Sequence, residues 1–170
     1  MSTTVQYTAS MKTRKTTSSS NAKSSVACQE FYSSGENFVG VICFSGMSLT
    51  NKVITGITLT VKSAAAGYGA GSTKTVYLRK ATHQNYIWEG VTGAGYAGDE
   101  LGTFSGSFYN NTTTNVISGA LLTAMGAYIS QGNNTFTIYN PSPSASSQGY
   151  STNYLQWTSV TITVTYEEAS

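Results

Sequence analysis

Acidic side chains are the first candidates for catalysis, and this chain of 170 residues has only seven of them. A glycosidase needs two carboxyl groups that face each other across a cleft. Glu167 and Glu168 lie near the C-terminus, where we expect them in solvent. Glu89 could converge with Asp99 or Glu100 from one loop, but a solvated acidic loop is the commoner arrangement. The carboxylates therefore predict no glycosidase site.

Histidine and cysteine give equally little support for metal or nucleophilic chemistry. His83 is the only histidine, which excludes zinc sites built on two or three histidines. The spacing of His83 from Cys28 and Cys43 does not indicate a shared site, and no nucleophile-elbow phrase occurs. We therefore predict a protein that is not an enzyme and that uses no metal or cofactor.

Residues 81–100 are the best candidate for a binding site. They form the longest stretch without clean periodicity, and long irregular loops often carry function. Aromatic rings can pack on the apolar face of a sugar, while amides and carboxylates bond to its hydroxyl groups. The predicted glycan-binding residues are Tyr86, Trp88, Tyr96, Asn85, Gln84 and Asp99. The alternative is a loop whose aromatic rings tuck into the edge of the fold.

Positive charge is concentrated near the N-terminus. The net charge is +2, and four basic residues precede the first acidic one. They are Lys12, Arg14, Lys15 and Lys23. Without an aromatic platform or a known motif, these charges do not predict nucleic-acid binding. We expect residues 10–25 to form a solvated loop or flexible arm, which in an assembly would order on a neighbouring subunit.

The two cysteines, Cys28 and Cys43, lie in separate β-like runs. A two-residue turn at Gly35 and Glu36 would place them opposite each other across a hairpin, where a disulfide is possible. The favoured interpretation is two small buried hydrophobic residues.

Hydrophobic patterning predicts the strands that must position these groups. Residues 54–62 and 158–166 alternate with a period of two, as in strands with one buried face. Residues 37–44 are nearly all apolar, which is typical of a central strand covered on both faces. We expect this strand to pair with residues 26–32.

The pattern then changes from strand to helix. Residues 101–109 and 112–117 are predicted to form a second strand pair. After it, apolar residues recur at three- and four-residue spacing and predict one short helix near residues 118–130, capped by Ser118 and stopped by Gly132. We expect this helix to plug one end of the fold.

Composition agrees with an all-β protein. Charged residues make up 9% of the chain and hydrophobic residues 39%. Many short strands, separated by Gly- and Ser-rich turns, predict an antiparallel β-sandwich or jelly roll. We expect residues 26–170 to form this sandwich as one domain, and residues 1–25 to supply an N-terminal strand and the basic arm.

Neither a membrane span nor a secretory signal is visible. No stretch approaches the roughly 18 to 20 apolar residues of a transmembrane helix. The N-terminal MSTTVQYTAS lacks the apolar core of a signal peptide. We therefore expect no membrane span and synthesis without a visible signal peptide.

Four segments together resemble a known family. They are VGVICFSGMSL, KVITGITLTV, ISGALLTAMGAYISQGNNTFTIYN and YLQWTSVTITVTYEE. In this order they are similar to jelly-roll modules of the disaggregatase-related, carbohydrate-binding-like (DNRLRE-type) family, found in tail and surface proteins of phages from gut Firmicutes. The resemblance covers most of the chain from about Val39 and implies a jelly-roll fold. The chain lacks the acidic signature phrase of the family and has few carboxylates where many such modules hold calcium, so no metal is expected.

Two hypotheses for the function follow. In the first, the chain is a non-catalytic structural or receptor-facing component of a phage-like particle or surface assembly. It would lie in a virion or at an extracellular surface, associate with its own copies or with other virion proteins, and contact host glycans. In the second, the chain is a carbohydrate-binding module that uses its loop aromatics, and Trp88→Ala should then lose affinity for glycans yet remain folded.

Overall fold

The computed structural model describes residues 1–30, 37–65, 73–85, 90–143 and 153–170. Antiparallel strands form most of the structure and only two helices occur in the described part, so the predicted all-β sandwich is confirmed. The elements in chain order are β1 (Ser2–Lys15), β2 (Asn21–Ser24), β3 (Ala27–Gln29), β4 (Phe38–Phe44), β5 (Lys52–Ser63), β6 (Lys74–Ala81), α1 (Gly93–Tyr96), β7 (Ala97–Gly106), β8 (Thr112–Ile117), α2 (Gly119–Ser130), β9 (Thr135–Ile138) and β10 (Leu155–Glu168).

The strands form two layers that share one long strand. The front sheet contains β3, the first half of β1, β10, β5 and β8. The back sheet contains β2, the second half of β1, β4, β9, β6 and β7. Residues 2–8 of β1 pair with β10, and residues 9–15 pair with β4. β1 therefore crosses from one sheet to the other and closes one side of the sandwich.

The prediction of a loop or flexible arm over residues 10–25 is wrong. β1 continues to its end at Lys15, and β2 then pairs back onto it. Thr13 and Arg14 are buried. Polar residues are accommodated here because they find distant partners: the Thr13 hydroxyl donates to the Val26 carbonyl at 2.9 Å and accepts from the Cys28 amide at 2.9 Å.

Both predicted strand pairs are also wrong, although their strands exist. β3 pairs with β10, whereas β4 pairs with β1 and β9. Similarly, β7 pairs with β6 and β8 pairs with β5. Each of these consecutive strands crosses to the opposite sheet, as in jelly-roll connections. Part of the stretch predicted to be irregular is regular, since α1 and the start of β7 fall within it.

The core lies between the sheets and is closed by α2. Inward-facing Leu59 of β5 and Ile162 of β10 are buried, as their alternation predicted, and Trp157 is fully buried. The predicted helix is confirmed as α2, which packs on β5 of the front sheet and β7 of the back sheet. Ser118 stands at its N-cap, although the side chain makes no capping hydrogen bond, and Gly132 follows its end with a φ of 93°. No helix in the described part of the chain has the length and apolar character of a membrane span.

Candidate functional site

The amide side chains of the predicted glycan loop make hydrogen bonds to other parts of the protein. The Gln84 amide donates to the Tyr128 hydroxyl at 2.8 Å, and its oxygen accepts from the backbone amides of Asn134 and Thr135 at 3.0 and 2.9 Å. Asn85 accepts from the Asn134 side chain at 2.6 Å. These bonds join the end of β6 to the start of β9 and use the side-chain oxygens of both residues, although Asn85 itself is exposed.

The aromatic and acidic members of the loop that the structure describes, Tyr96 and Asp99, differ in exposure. Tyr96 is only 1% exposed, which leaves its ring no face for a sugar. Asp99 is exposed on β7. Tyr86 and Trp88 lie outside the described residues. The alternative interpretation, an aromatic ring tucked into the fold, describes Tyr96.

Arg14 links the predicted arm to the predicted loop. Its guanidinium lies 5.0 Å from the centre of the Tyr96 ring, a distance typical of a cation–π contact. Nη1 donates to the Val91 carbonyl at 2.5 Å, and Nε donates to Asn21 at 3.0 Å. Arg14 therefore holds α1 against the back sheet, while Lys12, Lys15 and Lys23 are partly exposed on β1 and β2.

The two cysteines are free and buried, as the favoured interpretation predicted. Burial raises the pKa of the Cys28 thiol to about 11, although the hydrogen bond with Thr13 and the charge of Lys23 oppose the change. A thiol held in its neutral form is a poor nucleophile. Cys28 therefore contributes packing rather than reactivity.

The structure contains a buried polar cluster that the sequence analysis did not predict. Glu30 and Lys74 are both 0% exposed, and Asn140 is 5% exposed. The Asn140 amide nitrogen donates to Glu30 Oε1 at 2.5 Å, and its carbonyl oxygen accepts from the Ser142 backbone amide at 3.0 Å. We define these three side chains, Glu30, Lys74 and Asn140, as the buried triad.

Further amides surround the buried triad. Gln29 is fully buried, donates to the Thr75 carbonyl at 2.7 Å and accepts from the Tyr77 amide at 2.7 Å. Asn37 donates to the Asn140 backbone carbonyl at 2.7 Å. The backbone around the buried triad is thus held by side chains from distant parts of the sequence.

The electrostatics of the buried triad are unusual for a protein with so few charges. Burial lowers the pKa of Lys74, and the nearby charge of Glu30 partly offsets this effect. Lys and Glu are rarely fully buried unless they are paired. Glu30 also has a φ of 50°, a left-handed conformation that is uncommon for residues other than Gly and Asn. Such features concentrate at functional sites.

One signal in the sequence could have indicated the buried triad. In β6 the inward positions are Lys74, Val76 and Leu78, so the period of two places a lysine on the core face. The approach of Asn140 to Lys74 could not be predicted, because β9 pairs with β6 rather than with a neighbour in sequence. Glu30 follows β3, which pairs with the last strand, β10.

The front sheet carries a regular array of uncharged side chains, mostly threonines, on its outer face. Two rows cross β1, β10, β5 and β8 in register. They are Gln6, Thr163, Thr58 and Val116 in one row, and Thr8, Thr161, Thr60 and Thr114 in the other. None of these side chains carries a charge. We call this surface the threonine face.

The threonine face ends at β8, whose outer edge pairs with no other described strand. Along β8 exposed and partly buried residues alternate. Val116 is 75% exposed, an unusual position for a β-branched apolar residue beside an open edge.

A metal site is not apparent in the described segments. They bring together no group of three or more His, Cys, Asp or Glu side chains. The adjacent carboxylates Asp99 and Glu100 are both exposed on β7.

Comparisons with known proteins do not assign the chain to a family. No family model matches the chain, and a search of curated proteins finds no match.

Proposed function

We propose that this chain is a non-catalytic structural component of a phage-like particle or surface assembly, and that it associates with copies of itself through the outer edge of β8. The observation that carries this proposal is the open edge beside the uncharged threonine face, with Val116 75% exposed at the junction. The resemblance of the sequence to phage tail and surface modules supports the proposal that the assembly is a phage-like particle or a surface structure.

The character of the two sheet edges supports β8 as the contact. An open edge offers backbone N–H and C=O groups to another strand, and charges or irregular pairing protect an edge from such contacts. β7, at the other end of the strand order, carries exposed Asp99 and Glu100, and its pairing with β6 is irregular. β8 has no charge and no proline. An antiparallel pair of β8 strands would be related by a two-fold axis, which is the commonest symmetry of homo-oligomers.

The surface area that the contact would bury predicts how strong the association is. A stable dimer commonly buries about 1,200 to 2,000 Å² in total, more than one pair of six-residue strands provides. We therefore expect the isolated protein to dimerise weakly and in a concentration-dependent way. In an assembly with many copies, multivalency would strengthen each contact.

The test is the mass of the protein in solution, measured by light scattering over a range of concentrations. The wild type should shift from monomer toward dimer as concentration rises. Val116→Lys should remain a monomer, because it places a charge beside the edge that must be desolvated.

The matched control is Thr60→Lys, which adds the same charge inside the threonine face, one strand away from the edge. It should dimerise like the wild type if the edge is the contact. A wild type that stays monomeric at every concentration contradicts the proposal. Loss of dimerisation in Thr60→Lys alone would assign the contact to the face instead.

The carbohydrate-binding hypothesis remains a prediction that depends on Tyr86 and Trp88. Of the described members of its residue set, Tyr96 is buried, Gln84 and Asn85 make internal hydrogen bonds, and Asp99 is exposed.

A further inference from the structure

The buried triad brings together an amine, a carboxyl group and a carboxamide from three separate elements. Lys74 begins β6, Glu30 follows β3, and Asn140 lies two residues beyond the end of β9. All three are buried, and the Asn140 amide nitrogen contacts Glu30 at 2.5 Å. These are the groups needed to join an amine to an amide carbon.

Strand register places Lys74 close to Asn140. Leu78 is paired with Ile138, and the Tyr139 amide donates to the Tyr77 carbonyl at 3.1 Å. Continued by two residues, this register puts Asn140 opposite Val76, so Lys74 is its diagonal neighbour. Diagonal neighbours on one face lie about 7 to 8 Å apart, within reach of a long side chain. Lys74 and Asn140 both occupy inward, buried positions.

The surroundings of Asn140 favour attack at its side-chain carbon. The Ser142 backbone amide donates to Asn140 Oδ1 at 3.0 Å, where negative charge would develop in a tetrahedral intermediate. Glu30 accepts from Nδ2, the group that would leave. One carboxyl group can therefore take a proton from the attacking amine and deliver it to the leaving nitrogen.

The burial of Lys74 favours the amine as a nucleophile. Desolvation lowers its pKa, which raises the fraction of neutral amine. A buried ammonium group is unfavourable unless it is well paired. Replacing the charged amine by a neutral amide would remove this penalty permanently.

We propose that Lys74 and Asn140 form an intramolecular isopeptide bond, with Glu30 as the proton carrier. The Lys74 Nζ attacks Asn140 Cγ and a new C–N bond forms. The bond from Cγ to Nδ2 breaks, a proton passes from Nζ through Glu30 to Nδ2, and ammonia leaves. Glu30 is regenerated, and no oxidant, reductant or cofactor takes part.

The bond would tie β6 to the end of β9 across the long stretch of chain between them. A cross-link of this kind restricts the unfolded chain, as a disulfide does. Unlike a disulfide, it would resist reducing agents. Such a link suits a protein that bears load in an assembly, although the inference does not depend on the proposed association through β8.

The test is the intact mass of the purified full-length protein after denaturation. The wild type should weigh about 17 Da less than its sequence mass, through loss of one ammonia. Digestion with trypsin and a protease that cleaves after aromatic residues should release a branched peptide that joins residues 69–77 to residues 140–150. The full sequence mass, or a loss that maps to other residues, would overturn the proposal.

Variants assign the roles and separate chemistry from folding. Lys74→Met and Glu30→Gln should both restore the full sequence mass expected of each variant. Lys62→Met, which removes a lysine from β5, is the matched control and should keep the loss of ammonia. Loss of ammonia in Glu30→Gln would overturn the role of Glu30. Because the wild-type mass decides the central claim, a variant that fails to fold does not leave it open.

Failure of this experiment and failure of the proposed function are distinguishable. The mass of the denatured chain reports the isopeptide bond, whereas light scattering of the native protein reports association through β8. Either result can be negative without affecting the other.

Discussion

Gly40 shows how one residue allows the two sheets to approach. A Cβ atom at Gly40 would lie 2.9 Å from the backbone nitrogen and oxygen of Cys28 and 2.8 Å from the Ile138 side chain. These contacts are shorter than van der Waals separations, and backbone atoms cannot move aside cheaply. The absent side chain therefore lets β3 of the front sheet lie against β4 of the back sheet.

We predict that Gly40→Ala destabilises the protein by about 1 to 3 kcal/mol, the usual range for overpacking a core. Gly56→Ala is the matched control in β5, because its Cβ would meet Thr165 at an ordinary 3.5 Å. The control should leave stability unchanged or slightly raised, since alanine restricts the unfolded chain. Urea unfolding measures both values, and equal stabilities for the two variants would show that the approach at Gly40 is unimportant.

At the scale of elements, β1 shows what the sequence can and cannot predict. β5 and β10 were predicted because their alternation is local and needs no knowledge of their neighbours. The second half of β1 was missed because Thr13 and Arg14 are polar, and their hydrogen bonds to Val26, Val91 and Asn21 depend on the folded chain. Arg14 was predicted in a solvated arm, yet it is 5% exposed.

The position of β1 also changes what a truncation means. β1 lies between β10 and β4 in the strand order and pairs with both along most of its length. We predict that deletion of residues 1–25 abolishes cooperative unfolding, because it leaves two long strands with unpaired backbone groups. Circular dichroism during thermal unfolding measures the loss.

A second variant separates this role of β1 from that of its charges. Replacing Lys12, Lys15 and Lys23 by Gln keeps the strands and removes three of the four basic charges that precede Glu30. We expect this variant to fold and to associate as the wild type does. A deletion protein that remains folded but no longer associates would instead restore the arm as an assembly element.

The whole molecule carries little charge, so its response to pH depends on a few buried groups. On the surface, Lys52 Nζ lies 2.6 Å from Glu168 Oε2 in an ion pair. Burial raises the pKa of the Tyr7 and Tyr128 hydroxyls, as it does for the Cys28 thiol. All three groups are neutral when protonated, and the folded state therefore resists their ionisation.

The direction of the resulting pH dependence follows from proton linkage. Above a pKa of 9.0 the Cys28 thiol ionises in the unfolded chain, whereas in the folded protein it stays protonated until about 11. Within this window the folded state binds more protons, so the free energy of unfolding falls as pH rises. The stabilisation is complete below pH 9.0 and is lost toward pH 11.

We predict that Cys28 alone accounts for a fall of about 2 to 3 kcal/mol in the free energy of unfolding across this window. Urea unfolding at several values between pH 8 and 11 measures the slope for the wild type and for Cys28→Ala. Below pH 9.0 the variant should be less stable than the wild type because it loses buried volume, but its stability should fall less steeply as pH rises. The comparison uses the difference in slope, which the lost volume does not change. Equal slopes would mean that Cys28 does not resist ionisation in the folded protein and that the alkaline limit is set by other groups, such as Tyr7 and Tyr128.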